Sequence, residues 1–172
     1  YPRTRPDLPN HEPRGCSRGA SYSWYMYSGN RLKYPLIRSR LLKAWRKARE
    51  LMLVADRTDD IRPSDVLCFV TLRNERIRLP YFLTYYRDRG VSHFIIVDND
   101  STDGTREYLA AQGDCSVWMS QGSYKRSRFG MDWLNALMRQ YAHGHWCVVV
   151  DPDEFLIYPF CDTRPIPALT DW

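Results

Sequence analysis

Two carboxylates held one residue apart by a proline, Asp151 and Asp153, follow directly on the apolar run Trp146 to Val150, and Glu154 adds a third. A stiff step of this kind can coordinate a hard divalent cation, with the remaining positions left to water and phosphate oxygens. Such a cation would offset charge on a leaving diphosphate as a Lewis acid. Asp-x-Asp is common by chance, so its place behind a strand-like run is what gives it meaning. Phe155, Leu156 and Ile157 resume an apolar pattern, which places the acidic loop between two segments expected to be buried.

Two further polar groups follow apolar runs. One is Thr71-Leu72-Arg73-Asn74-Glu75; the other is Asp98-Asn99-Asp100-Ser101-Thr102-Asp103-Gly104-Thr105. Asp98 ends a strand directly, where a carboxylate can reach a ribose hydroxyl or a base N–H, and Asp100 competes with it for that role. Asp103, Gly104 and Thr105 are expected to be structural, because a turn and a helix start favour these residue types. His143 and His145 fall in a turn before the last strand and are read as structural.

These groups need a frame that gathers them. Val66 to Thr71, His93 to Val97 and Trp146 to Val150 are β-rich runs, with a shorter candidate at Ser116 to Met119. Pro80 suits a first helical turn, Leu79, Phe82, Leu83 and Tyr86 form one apolar face, and Gly90 closes the helix. A second helix is predicted from Ser101 or Thr102 through about Ala111, and a third from Phe129 to Tyr141. Continuous apolar strands alternating with helices indicate an α/β fold, a mostly parallel sheet flanked by helices. Right-handed crossovers bring the carboxyl ends of the strands to one edge, where ligands bind in such sheets.

The division along the chain is an N-terminal arm and basic amphipathic helix at 1–60, a ligand-binding domain at 61–160 and a Pro-rich tail at 161–172. Residues 34–55 carry Leu36, Ile37, Leu41, Trp45, Ala48 and Met52 at three- to four-residue steps among Arg38, Arg40, Lys43, Arg46, Lys47 and Arg49. That helix either docks on the domain or makes peripheral contact with an anionic membrane. The net charge of +5 is uneven: residues 1–60 hold 13 Lys/Arg against 6 Asp/Glu, and the remainder 12 against 14. Basic surface is thus confined to one part, which argues against nucleic acid as the partner. No apolar run approaches the roughly 20 residues of a membrane span. Five cysteines without a Cys-x-x-Cys pair fit a reduced, cytoplasmic setting better than a disulfide framework.

Arg73-Asn74-Glu75, Asp98 through Thr105 and Asp151-Pro152-Asp153-Glu154-Phe155-Leu156 together resemble the family-2-like glycosyltransferases of the GT-A fold. The likeness covers residues 66–158. It implies a Rossmann-like nucleotide-sugar-binding half, metal-assisted transfer of a sugar from a UDP- or GDP-linked donor to an acceptor glycan or other hydroxyl compound with inversion, and a role in polysaccharide biosynthesis. Carried over by residue, it implies Thr71, Arg73 and Glu75 beside base and ribose, Asp98 or Asp100 on the nucleoside, and Arg128 as a basic contact. It also implies Asp151 at the donor and, with Asp153, at Mn²⁺ or Mg²⁺. The general base of an inverting enzyme would lie downstream of Trp172, so the catalytic residue is unassigned and the acceptor half is expected to be missing. The alternatives are a non-catalytic nucleotide-sugar-binding or scaffolding domain and a haloacid-dehalogenase-type phosphohydrolase. The last normally has Thr or Val where this chain has Phe155.

Overall fold

The computed structural model describes residues 45–169. Its sheet has five strands: β1 (Met52–Ala55), β2 (Val66–Leu72), β3 (His93–Asp98), β4 (Cys115–Met119) and β5 (Trp146–Val149), in the order β1-β4-β3-β2-β5. Strands β2 to β5 are mutually parallel, and β1 runs antiparallel to β4 along the opposite margin. The fold is therefore α/β with a mixed sheet, and the alternating strand–helix pattern is observed from β2 onward.

Every residue of β2 and β3 is buried, as their unbroken apolar sequences require of central strands covered on both faces. One face packs Cys68, Val70, Phe94 and Ile96 against Leu79, Phe82, Leu83 and Tyr86 of α1 (Leu79–Asp88) and Leu109 of α2 (Thr105–Ala110). The other packs Leu67, Phe69, Ile95 and Val97 against Trp133, Leu134 and Leu137 of α3 (Met131–Tyr141). Pro80 occupies the first turn of α1, where its missing N–H costs nothing.

Three local expectations change. The helix read over 34–55 falls outside the described residues up to residue 44; beyond it, residues 45–48 are helical and Met52–Ala55 is strand β1. The antiparallel partner β4 supplies the hydrogen bonds that fix this strand, a tertiary effect the apolar periodicity does not carry. Helix α2 starts at Thr105 behind Gly104 in the left-handed region, and neither Ser101 nor Thr102 caps it. Finally, Leu156 and Ile157 are exposed, Ile157 at 78%, so the acidic loop does not lie between two buried segments.

Candidate ligand cleft at the carboxyl edge of the sheet

The ends of β2, β3 and β5 meet around a cleft of about 380 Å³, lined by Thr71, Leu72, Arg73, Glu75, Asn99, Tyr124, Asp151, Pro152 and Asp153. Parallel β2 and β5 stand side by side, and Val150 N–H still donates to the Phe69 carbonyl at 3.3 Å. Asp151 therefore emerges beside Thr71 and Leu72. Pro152 is buried and both flanking aspartates are exposed, so the proline anchors the turn and the carboxylates face outward.

The rim is built by two loops that hydrogen-bond to each other. Asn74, held at φ 57°, donates its N–H to Ser101 Oγ at 2.8 Å, while its Oδ1 accepts from Thr102 N–H at 2.8 Å. Glu75 N–H donates to Thr105 Oγ1 at 3.0 Å, and Arg76 N–H to Asp103 Oδ2 at 3.1 Å. The Asp98–Thr105 segment thus serves as a clamp for the loop that carries Arg73 and Glu75. Asn99 ties in the third loop, donating from Nδ2 to the carbonyls of Ser120 and Gly122 at 2.8 and 3.0 Å.

The cleft brings together Thr71, Arg73, Glu75, Asp151 and Asp153, and it leaves three expected residues aside. Asp98 is fully buried; its Oδ2 accepts from Arg106 Nε at 2.8 Å, and both its oxygens accept from Ser101 N–H at 3.3 Å. Its acceptor capacity is spent inside the fold. Asp100 turns toward the same guanidinium, at 3.7 Å. Arg128 pairs with Asp132 one helical turn on, its Nε donating at 2.8 Å. Asn99, inside the Asp98–Thr105 motif but not singled out there, and Tyr124, which no motif marks, also line the cleft. Their only sequence signal is position, each in a segment that follows the carboxyl end of a strand.

The electrostatics are acidic. Glu75 is paired with Arg78 at 2.6 Å, which among the described lining residues leaves Asp151 and Asp153 beside Arg73. Burial, and then the neighbouring Glu154 and Asp153, raise the Asp151 carboxyl above its ordinary value. Burial and the same aspartates raise the Tyr124 phenol. Thr71 Oγ1 is buried at the cleft wall without a hydrogen-bond partner, and its neighbour Gly130 has no side chain to offer one. That hydroxyl is packed against Gly130 and closed to solvent, so it belongs to the wall of the cleft and not to its open surface. The carboxylates of Asp151 and Asp153 can accept hydrogen bonds from hydroxyl or N–H donors.

No family model matches the chain. It is 78% identical over 51 residues to the Escherichia coli K12 respiratory nitrate reductase 1 alpha chain, which is 30% of this chain and 4% of that protein. To the respiratory nitrate reductase 2 alpha chain of the same strain it is 83% identical over 48 residues, and to the Bacillus subtilis nitrate reductase alpha chain 60% over 48 residues; each match covers 28% of this chain and 4% of the relative. The chain thus spans about 4% of the length of these relatives. Each alignment is shorter than half of residues 45–169, so most of the described α/β domain lies outside it.

These similarities overturn the glycosyltransferase reading. These three relatives are nitrate reductase alpha chains, and none of the three supports sugar transfer, polysaccharide biosynthesis, a UDP- or GDP-linked donor with a glycan acceptor, or the non-catalytic nucleotide-sugar alternative. The Mn²⁺ or Mg²⁺ cofactor, which was implied by that resemblance, falls with it. The physical reason for the error is that three short motifs at strand ends are what any parallel sheet uses to build turns, helix starts and interloop clamps. Asp98 and Asp103 do that work here. Among the described residues no helix is long and apolar enough to cross a membrane.

Proposed function

We propose that this chain works as part of a nitrate-reducing oxidoreductase of the nitrate reductase alpha type, and that its α/β domain binds a small, donor-rich ligand in the carboxyl-edge cleft. The identity of 78–83% over 48–51 residues supports the first half. The observation that carries the second is the convergence of Glu75, Asp151 and Asp153 on one cleft. Thr71 and Glu75 come from the end of β2 and Asp151 and Asp153 from the end of β5, and the loop that carries Glu75 is held by the clamp. Nitrate itself does not suit this cleft, since a bare anion would meet Asp151 and Asp153 beside Arg73, with Glu75 and Arg78 already paired to each other. The domain's part is therefore to hold a second ligand or a partner group, not the anion being reduced.

The basic run at residues 34–55 supports attachment at the periphery of an anionic membrane. Its described portion exposes Trp45, Arg46 and Arg49.

The oxidoreductase half is tested by immunodepletion. Antibody raised against residues 52–169 should remove nitrate-reducing activity, measured with a reduced viologen dye, from extracts of cells that make the chain. Activity left fully in the supernatant would refute the assignment.

A further inference from the structure

The helical turn at 45–48 and the two residues after it reach the domain through Glu50. Lys47 Nζ donates to both carboxylate oxygens of Glu50, at 2.7 and 2.9 Å, and fixes their direction. Trp133 Nε1, on the first turn of α3, donates to Glu50 Oε2 at 3.1 Å. The same oxygen closes over Gly122, where a Cβ would lie 2.3 Å from Glu50 Oε2 and 2.9 Å from the Trp133 ring.

Gly122 and Trp133 are the two ends of one loop. It follows β4, carries Tyr124 to the cleft and returns as α3. Between those ends the loop is bonded to itself. Ser127 Oγ lies 3.0 and 2.8 Å from the carbonyls of Ser123 and Tyr124, and Phe129 N–H donates to the Tyr124 carbonyl at 2.9 Å. Asn99 holds the neck from the cleft side through the Gly122 carbonyl, and Glu50 holds it from the other. The segment that supplies Glu50 has few ties of its own. The N–H groups of Arg49, Glu50 and Leu51 donate within it, to the carbonyls of Arg46, Lys47 and Ala48. Among the described residues, Glu50 makes its side-chain hydrogen bond to the rest of the domain. Trp45 is exposed, with the Arg49 guanidinium 4.0 Å from its ring. Elements attached this way open at low free energy.

We propose that Glu50 clasps the neck of this loop and sets the Tyr124 wall of the cleft, so that docking of the segment ahead of β1 and the shape of the cleft form one coupled equilibrium. The regulatory consequence rests on the reading of the cleft as a ligand site. By linkage, a ligand held against Tyr124 tightens the clasp, and release of the segment weakens that ligand. Glu50 is a positioning residue: it acts through Gly122 and Trp133 and does not line the cleft.

The test uses the whole chain without ligand, so failure of the clasp is separate from failure of the cleft to bind. The Glu50 side chain is 36% exposed, and its variants should keep their circular dichroism. Glu50→Ala should shift the NMR signals of the Trp133 indole N–H, Gly122, the Asn99 side-chain amide and Tyr124 together. The Tyr124 phenol, raised by burial and by Asp151 and Asp153, should titrate closer to its ordinary value. Trypsin should cut at Lys47 and Arg49 about tenfold faster, as loss of one charge-assisted hydrogen bond predicts. Glu50→Gln keeps an acceptor for the indole and should leave Asn99 and Tyr124 near their original positions. Shifts that stop at Trp133 and Gly122, an unchanged Tyr124 titration or unchanged trypsin cleavage overturns the proposal. So does a Glu50→Gln variant that moves Tyr124 as far as alanine does.

Discussion

Replacing Arg106 by Met should unfold the loop clamp from its root. Asp98 is fully buried, and among the described residues Arg106, 25% exposed, supplies the one side chain bonded to it at salt-bridge distance. Removing one partner of a buried pair strands the other charge, which costs about 3–5 kcal/mol when both are sealed from water. The exposure of Arg106 lets water reach the vacated space, so the low end, about 3 kcal/mol, applies. For a chain of this size that corresponds to a Tm lower by about 9 °C. Asp98→Asn removes the stranded charge while keeping an acceptor for Ser101 N–H. The double variant should therefore be more stable than Arg106→Met alone by at least about 1 kcal/mol, a coupling that two independent sites would not show. Urea denaturation of the four proteins measures the cycle. A loss below about 0.5 kcal/mol for Arg106→Met, within the range of ordinary surface changes, or strict additivity, would refute the role given to this pair.

Gly130→Ala should cost more than Gly104→Ala although both glycines have positive φ. A Cβ at 130 would lie 2.6 Å from Thr71 Oγ1, while one at 104 meets nothing within 4 Å; losses of about 3 and about 1 kcal/mol are expected by denaturation. Burial lowers the pKa of His93 from 6.5 despite the opposing pull of Asp114, Asp65, Asp60 and Asp56. The unfolded chain therefore binds that proton first, so stability should hold above pH 6.5 and decline as pH falls below it; His93→Gln should flatten the decline in a Tm–pH series. Arg87→Lys should cost about 1 kcal/mol, because one ammonium cannot reproduce the fork in which Nε and Nη2 each bond Asp114 at 2.6 Å.

The strands and helices around the cleft were legible because central elements write burial into consecutive residues. Val66–Leu72 and His93–Asp98 are apolar on both faces and are buried on both. The margins were not legible. Trp146–Val149 reads like a central strand yet lies at an edge, and Met52–Ala55 continues a helical periodicity yet is held as a strand by β4. Within the cleft, Thr71, Arg73, Glu75, Asp151 and Asp153 could be named because each ends or follows a strand. Asp98 satisfies the same criterion and plays a different part, since nothing local to it announces that Arg106 folds back eight residues later. Tyr124 is placed by the long connection between β4 and α3, whose path is a tertiary property. The functional class escaped for a similar reason: strand-end carboxylates specify a cleft and its polarity, while the chemistry depends on what else the polypeptide carries.

The most direct test of the cleft is an NMR titration of the whole chain with a hydroxyl- and amine-rich fragment set, with nitrate and nitrite as counter-probes. At least one donor-rich fragment should shift the amides of Thr71, Glu75, Asn99 and Asp153 together, Asp153→Ala should weaken that binding on the order of tenfold through loss of a charged acceptor, and nitrate should leave these amides unmoved. Saturable nitrate binding at the same amides, or fragments that shift none of them, would contradict the account.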